Sequence, residues 1–191
     1  MLRTYEEAMT LLRRDKHFFW NEGLRMFQLL NREFLDAMAE YLRGRGFVLE
    51  VGAGDGVLSR ELYELGVDIL ATDNGSWNID TGAGVEILDY REAIRRYQPV
   101  IVLSSWMPPR NDWTPDFRSA NCVQEYILIG ETDGGSCGLD SVWDEYPEFE
   151  RVNLGKPSSY SLCRNDLFPG KELLPQRSFV ESFRHRDNND H

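Results

Sequence analysis

The spacing of apolar residues changes partway along the chain. Leu24, Phe27, Leu30, Phe34, Met38 and Leu42 recur at three- and four-residue steps, which predicts a long helix with one apolar stripe. It follows the aromatic stretch His17-Phe18-Phe19-Trp20 and is ended by Gly44 and Gly46. A first helix is expected from Thr4, where Glu7 completes a capping-box spacing, through Leu11 and Leu12. From Phe47 onward the text alternates between short β-rich runs and helical segments. Phe47 to Val51 is an apolar run broken only by Glu50, as for a strand covered on both faces. Further strands are expected at Val67–Thr72, Val85–Leu88, Val100–Ser104 and Tyr126–Gly130. Helices are expected at Val57–Leu65, with Gly66 as terminator, and at Tyr90–Tyr97. Asn74 to Gly84 is glycine-rich and polar, so a crossover helix there is short or missing. Pro108, Pro109 and Pro115 make the following segment a loop. Arg151–Leu154 and Tyr160–Cys163, separated by Gly155-Lys156-Pro157, read as a terminal hairpin.

Strands alternating with helices imply parallel βαβ units. The fold class expected is α/β, a single doubly wound, mostly parallel sheet with a C-terminal antiparallel hairpin and N-terminal helices. Residues 1–46 form the helices, which could act as a lid; 47–184 form the sheet domain; 185–191 are a polar tail. The chain has 191 residues, enough for one domain and too few for two comfortable ones. No apolar run approaches the roughly 20 residues of a membrane helix, and Met1 to Lys16 lacks the apolar stretch of a secretory signal. No membrane partner is expected, and the cytoplasm is the default location.

A net charge of −11 would repel phosphate, so nucleic acid is disfavoured as a partner. The basic clusters Arg13-Arg14-Lys16 and Arg91, Arg95, Arg96 read as solvated helix faces. Cys122, Cys137 and Cys163 are odd in number and widely spaced, which is neither a disulfide framework nor a metal pattern; no metal is expected. No feature of the sequence specifies an oligomeric state.

The chemistry concentrates in Val48-Leu49-Glu50-Val51-Gly52-Ala53-Gly54-Asp55-Gly56-Val57: a buried strand, a glycine-rich turn, then a helix. Such glycines let backbone turn sharply and approach a ligand without Cβ atoms in the way. Open α/β sheets bind ligands beyond the carboxyl ends of their strands, near the switch in strand order. In the nicotinamide fingerprint the third glycine comes one residue later, where Val57 stands here. Asp55 and Glu50 are also unwelcome beside a diphosphate. A ligand carrying an ammonium and a sulfonium suits the turn better.

On these residues the chain resembles the class I (Rossmann-like) S-adenosylmethionine-dependent methyltransferases. Their acidic-x-Gly-x-Gly-x-Gly motif is matched by Glu50, Gly52, Gly54 and Gly56. The acidic residue that takes the ribose hydroxyls is matched by Asp73, 23 residues after Glu50, and the one that meets the adenine amine by Asp89. The resemblance runs from about Phe47 to Cys163. It implies S-adenosyl-L-methionine as cofactor, bound by Glu50, Gly52, Ala53, Gly54, Asp55, Gly56, Asp73, Asn74, Asp89, Tyr90 and Ser104. It departs from the pattern at Asn74–Gly84, where the ribose side is expected to be open. It departs again at Ser104-Ser105-Trp106-Met107-Pro108-Pro109, which lacks the order found in nucleic-acid amino-methylating relatives.

Candidates on the acceptor side are Trp106, Asp112, Trp113 and Glu131, with Asp133 beside the last, and Trp20 and Asn21 could form a lid. His17, His185 and His191 offer no clear imidazole base. The leading reading is N- or O-methylation of a small molecule. The alternatives are a protein methyltransferase drawn to a basic segment, a non-catalytic cofactor binder, and a nicotinamide oxidoreductase.

Overall fold

The computed structural model describes residues 2–14, 27–131, 135, 137–163 and 178–186. Helix α1 is Tyr5–Arg14 and helix α2 Arg32–Leu42; they precede strand β1, Val48–Val51. Then follow α3 (Val57–Glu64), β2 (Ile69–Asp73), β3 (Val85–Ile87), α4 (Tyr90–Tyr97), β4 (Ile101–Ser105), α5 (Thr114–Ser119) and β5 (Glu125–Glu131). The chain closes with β6 (Phe149–Asn153), α6 (Gly155–Ser159) and β7 (Ser178–His185).

The seven strands form one sheet in the order β3-β2-β1-β4-β5-β7-β6. The first five are mutually parallel, while β7 lies antiparallel to both β5 and β6. The expected doubly wound sheet with an antiparallel pair at one edge is therefore present. Strand order reverses between β1 and β4, so their carboxyl ends frame the crevice. Strand alternation divides the core in two. Leu49, Val51, Val102, Tyr126 and Leu128 face the layer of α4 and α5. Val48, Leu103, Ile127 and Ile129 face α2 and α3 through Phe34, Leu35, Met38, Leu58 and Leu62. No described helix is long and apolar enough to cross a membrane.

The capping box at Thr4 forms as expected: the Thr4 amide donates to Glu7 Oε2 (2.8 Å) and the Glu7 amide to Thr4 Oγ1 (3.2 Å). The second helix is shorter than its periodicity predicts. Gln28 pairs as an isolated bridge with Cys163, and the helix begins only after Asn31. Asn31 is fully buried; its Oδ1 accepts from the Phe34 amide (2.9 Å) and its Nδ2 donates to the Tyr160 carbonyl (2.9 Å). A cap satisfied on both sides fixes where α2 starts, so Phe27 and Leu30 are wall residues rather than helix stripe. Asn31→Ala is expected to lower stability by about 2 kcal/mol in chemical denaturation, since it strands a helix amide and a carbonyl. Leu24, and with it Trp20 and Asn21, lies outside the described residues.

Three further expectations need correction. The segment after β4 is not all loop: Pro115 sits in the first turn of α5, where its missing N–H is not needed. Tyr160–Cys163 is not the hairpin partner of β6. That partner is β7, while Gly155–Ser159 is a short helix. β7 also runs through His185, the first residue assigned to the tail, whose ring meets Phe149 edge-on at 5.1 Å. As expected, no helix links β2 to β3. On α4, Arg91 and Arg96 are ion-paired with Asp116 (3.0 Å) and Glu86 (2.6 Å).

Candidate functional site

The carboxyl ends of β1, β2 and β4 open on a cavity of about 460 Å³. Small-molecule sites commonly span roughly 300–1,000 Å³. Its floor is the turn after β1, where Gly52, Gly54 and Gly56 take φ of 67°, 58° and 69°. Side chains rarely tolerate that left-handed backbone. The three glycines nevertheless have different surroundings. A Cβ on Gly56 would stand 2.3 Å from Val85 Cγ2, so that glycine lets α3 close onto β3. A Cβ on Gly54 would meet only Ile79 Cδ1, at 3.6 Å, and Gly54 borders the cavity.

Asp73, at the end of β2, holds the turn from the side. Its Oδ2 accepts from the Gly54 amide (2.9 Å) and its Oδ1 from the Gly75 amide (2.7 Å). A carboxylate offers about four acceptor positions. Asp73 thus fixes the backbone and keeps lone pairs for a ligand. Leu88 adjoins it, donating its amide to the Asp73 carbonyl (2.9 Å), and borders the same cavity.

Glu50 is the unusual group. It is 1% exposed, yet it borders the cavity. The Ser59 hydroxyl donates to its carboxylate, and the Ser59 amide also helps the charged form. Burial outweighs both, and the charges of Asp55 and Asp73 push the same way, so the Glu50 carboxyl is raised to about 7. An acid held in that state, with acids as its charged neighbours, is complementary to a cation.

The other side of the cavity is apolar and aromatic. Trp106 stacks on Phe27 (5.5 Å, 25° between planes), and Phe27 meets Trp77 edge-on at 6.4 Å. Trp113 stacks on Tyr90 at 4.8 Å and lies over the glycine turn itself, its ring 3.0 Å from where a Cβ on Gly52 would stand. Helix α1 and its approach close the wall with Leu2, Arg3, Ala8 and Leu11. The Tyr90 hydroxyl donates to Asp116 Oδ2 (2.6 Å), and burial together with that carboxylate holds its phenol well above the ordinary range.

Of the residues expected to hold a cofactor, Glu50, Gly52, Ala53, Gly54, Asp55, Asp73, Asn74 and Tyr90 border this cavity, as do Trp106 and Trp113 from the acceptor set. Five others do not. Gly56 is the N-cap of α3. Asp89 caps α4 by accepting from the Arg91 amide (3.0 Å), and the cavity is reached by its neighbours Leu88 and Tyr90 instead. Ser104 is buried on the opposite face of β4, and alternation brings Ser105 to the cavity. Asp112 is spent on the start of α5, accepting from the Thr114 amide (2.9 Å) and hydroxyl (2.7 Å) and from Ser141 (3.0 Å). Glu131 ends β5 as a buried residue away from the cavity lining. Asp133 lies outside the described residues. Sequence reasoning missed Arg3, Gln28, Trp77 and Ile79. Trp77 and Ile79 carried a signal, as the two large apolar residues in a mostly polar, glycine-rich run. Among the described residues no group of three or more His, Cys, Asp or Glu is placed to hold a metal ion.

Among solved structures, the chain is similar to a protein of the NADB-Rossmann superfamily from Streptococcus agalactiae, at 13% identity and a TM-score of 0.48, over 82% of this chain and 69% of that one. It is also similar to the 1,6-didemethyltoxoflavin-N1-methyltransferase of Burkholderia thailandensis with bound S-adenosylhomocysteine, at 11% identity and a TM-score of 0.48, over 95% and 86%. A third is an E. cuniculi complex that methylates the translation termination factor eRF1, at 12% identity and a TM-score of 0.47, over 80% and 92%. No protein-family model and no curated protein matches the chain.

Proposed function

We propose that this chain binds S-adenosyl-L-methionine in the cavity at the β1–β4 switch and transfers its methyl group to a small-molecule acceptor. The observation that carries the reading is Glu50: a buried carboxyl at a cavity wall, beside Asp55 and Asp73, next to a glycine-rich turn. Such a wall repels a diphosphate and favours a ligand that is positive at one end.

The residues present fit that ligand. Asp73 has lone pairs left to accept from a ribose diol, and Gly54 lets a ligand approach the backbone closely. Leu88 and Ile79 offer apolar surface to a purine next to Asp73. Glu50, when ionised, balances an ammonium. When bound, the cofactor supplies a methyl group on positive sulfur, which departs as a neutral thioether once an acceptor lone pair has taken the methyl. The protein's part is to orient and to exclude water. Orientation alone is worth roughly 7–11 kcal/mol in favourable cases. Tyr90 is no base for the acceptor, because its hydroxyl is committed to Asp116 and held protonated. The reading therefore favours an acceptor whose lone pair is available without deprotonation by a strong base. A small acceptor is supported by α1 and by Phe27–Leu30, which wall the cavity and limit its depth.

Calorimetric titration tests this reading. S-adenosylmethionine and adenosylhomocysteine are expected to bind saturably at one site, with reduced nicotinamide dinucleotide at least about a hundredfold weaker. Tighter binding of the dinucleotide, or no binding of either nucleoside, refutes it.

A further inference from the structure

Resting on the methyl-donor reading, we infer that the acceptor is a planar aromatic small molecule carrying a negative charge, which lies against Trp106 with its charged group toward Arg3. The charges around the cavity come from different parts of the chain. Its acids, Glu50, Asp55 and Asp73, belong to the ends of β1 and β2 and the turn between them. The rest of the lining is mostly aromatic and aliphatic, with Gln28, Asn74, Ser76 and Ser105 among it, and Arg3 is the one basic side chain among the described residues that border it. Arg3 is exposed and borders the cavity, so it stands at the rim, where its guanidinium can meet a carboxylate or similar anion as a ligand enters.

Trp106 is built as a fixed surface rather than a loose loop residue. It follows β4 directly and has φ of 58°, a conformation that a non-glycine residue keeps only where its surroundings dictate it. Its indole N–H donates to Gln28 Oε1 (3.0 Å). Gln28, itself buried, donates through Nε2 to Ser161 Oγ (2.9 Å), which in turn shares a hydrogen bond with Ser178 Oγ on β7 (2.8 Å). A buried chain of polar groups thus sets the plane of the indole, and Phe27 backs it by stacking. A flat, oriented, apolar plane selects flat ligands, because aromatic pairs gain from defined offset geometry beyond the area they bury. Apart from Glu50, Asp55 and Asp73, no described residue that borders the cavity carries a carboxylate for a basic peptide or a free amine, although Glu7 on α1 interacts electrostatically with Arg3.

Four probes separate ring from charge: indoleacetate, skatole, tryptamine and cyclohexylacetate, titrated by calorimetry with and without saturating adenosylhomocysteine. Indoleacetate is expected to bind wild type at least about tenfold more tightly than the other three. Arg3→Glu leaves the fold intact, since the side chain is exposed, and is expected to erase or reverse the preference for indoleacetate over tryptamine. Gln28→Ala is expected to weaken the indole ligands while sparing cyclohexylacetate. Equal or tighter binding of tryptamine or cyclohexylacetate, or an unchanged ranking in Arg3→Glu, overturns the inference. If adenosylhomocysteine fails to bind while the ranking holds, the methyl-donor reading falls and the anionic-ring site stands.

Discussion

Gly54→Val is expected to abolish adenosylhomocysteine binding while the circular dichroism spectrum stays that of the wild type. At φ 58° a β-branched residue carries a backbone penalty of about 1–3 kcal/mol, within what a domain of this size tolerates. The space around the position is free: only Ile79 Cδ1 lies within 4 Å of an added Cβ, at 3.6 Å. The new methyl groups therefore project into the cavity instead of the core. Gly56→Val is the contrast. Its first carbon would land 2.3 Å from Val85, so that variant is expected to lose the fold itself. Asp73→Asn is nearly the same size but removes the charge and one of the two acceptors that hold the Gly54 and Gly75 amides, and a loss of about a hundredfold in affinity is expected from losing a hydrogen-bonded charge of this kind. If both Gly54→Val and Asp73→Asn bind the nucleoside as tightly as wild type, the site is elsewhere.

Glu50→Gln is expected to strengthen the fold at alkaline pH while weakening the ligand. In the native chain the Glu50 carboxyl is raised to about 7 from the ordinary 4.5. Between those values the native state holds a proton that the unfolded state has released, so this group's contribution is complete below about 4.5 and is lost as pH rises through about 7. The difference corresponds to about 3 kcal/mol at pH 8, and glutamine, having no proton to lose, escapes it. Denaturant midpoints at pH 5 and pH 8 should then converge for the variant and diverge for the wild type. S-adenosylmethionine affinity should rise with pH through about 7 in the wild type alone, because the ammonium binds the ionised form. Equal stability of the two proteins at pH 8 contradicts the burial argument. An equal gain without any change in nucleoside affinity contradicts Glu50's part in the site.

The glycine-turn side of the cavity was readable from the chain because strand, turn and helix lie next to one another in sequence there. Glu50 to Val57 is one continuous segment, and Asp73 ends the following strand. The aromatic part of the lining is assembled with Arg3 from Phe27, Trp77 and Trp106, which no local pattern connects. Gln28 was hidden because Phe27 and Leu30 keep helical spacing by coincidence: both are apolar because they form a wall, and the cap at Asn31 overrides the period. β7 was hidden for a different reason. Ser178, Glu181 and Ser182 are all buried within it, so no apolar alternation marks the strand. Their polar groups are met at a distance: Glu181 by Arg151 (3.2 Å) and Asn153 (2.8 Å), and Ser182 by Glu125. Asp89 and Asp112 each accept from an amide at the start of a helix, and neither is among the residues that border the cavity.

The position of β7 has a consequence for how the molecule is made. It occupies the slot between β5 and β6, which are synthesised well before it. A nascent chain emerging from the ribosome therefore exposes one open edge on β5 and leaves β6 without a neighbour until residues 178–185 arrive. Ser178 is also the far end of the hydrogen-bond chain that sets the Trp106 plane. The indole wall is thus given its final form by a strand that follows every other strand of the sheet in the chain, so a chain stalled or clipped before residue 178 would keep its glycine turn but lose that wall.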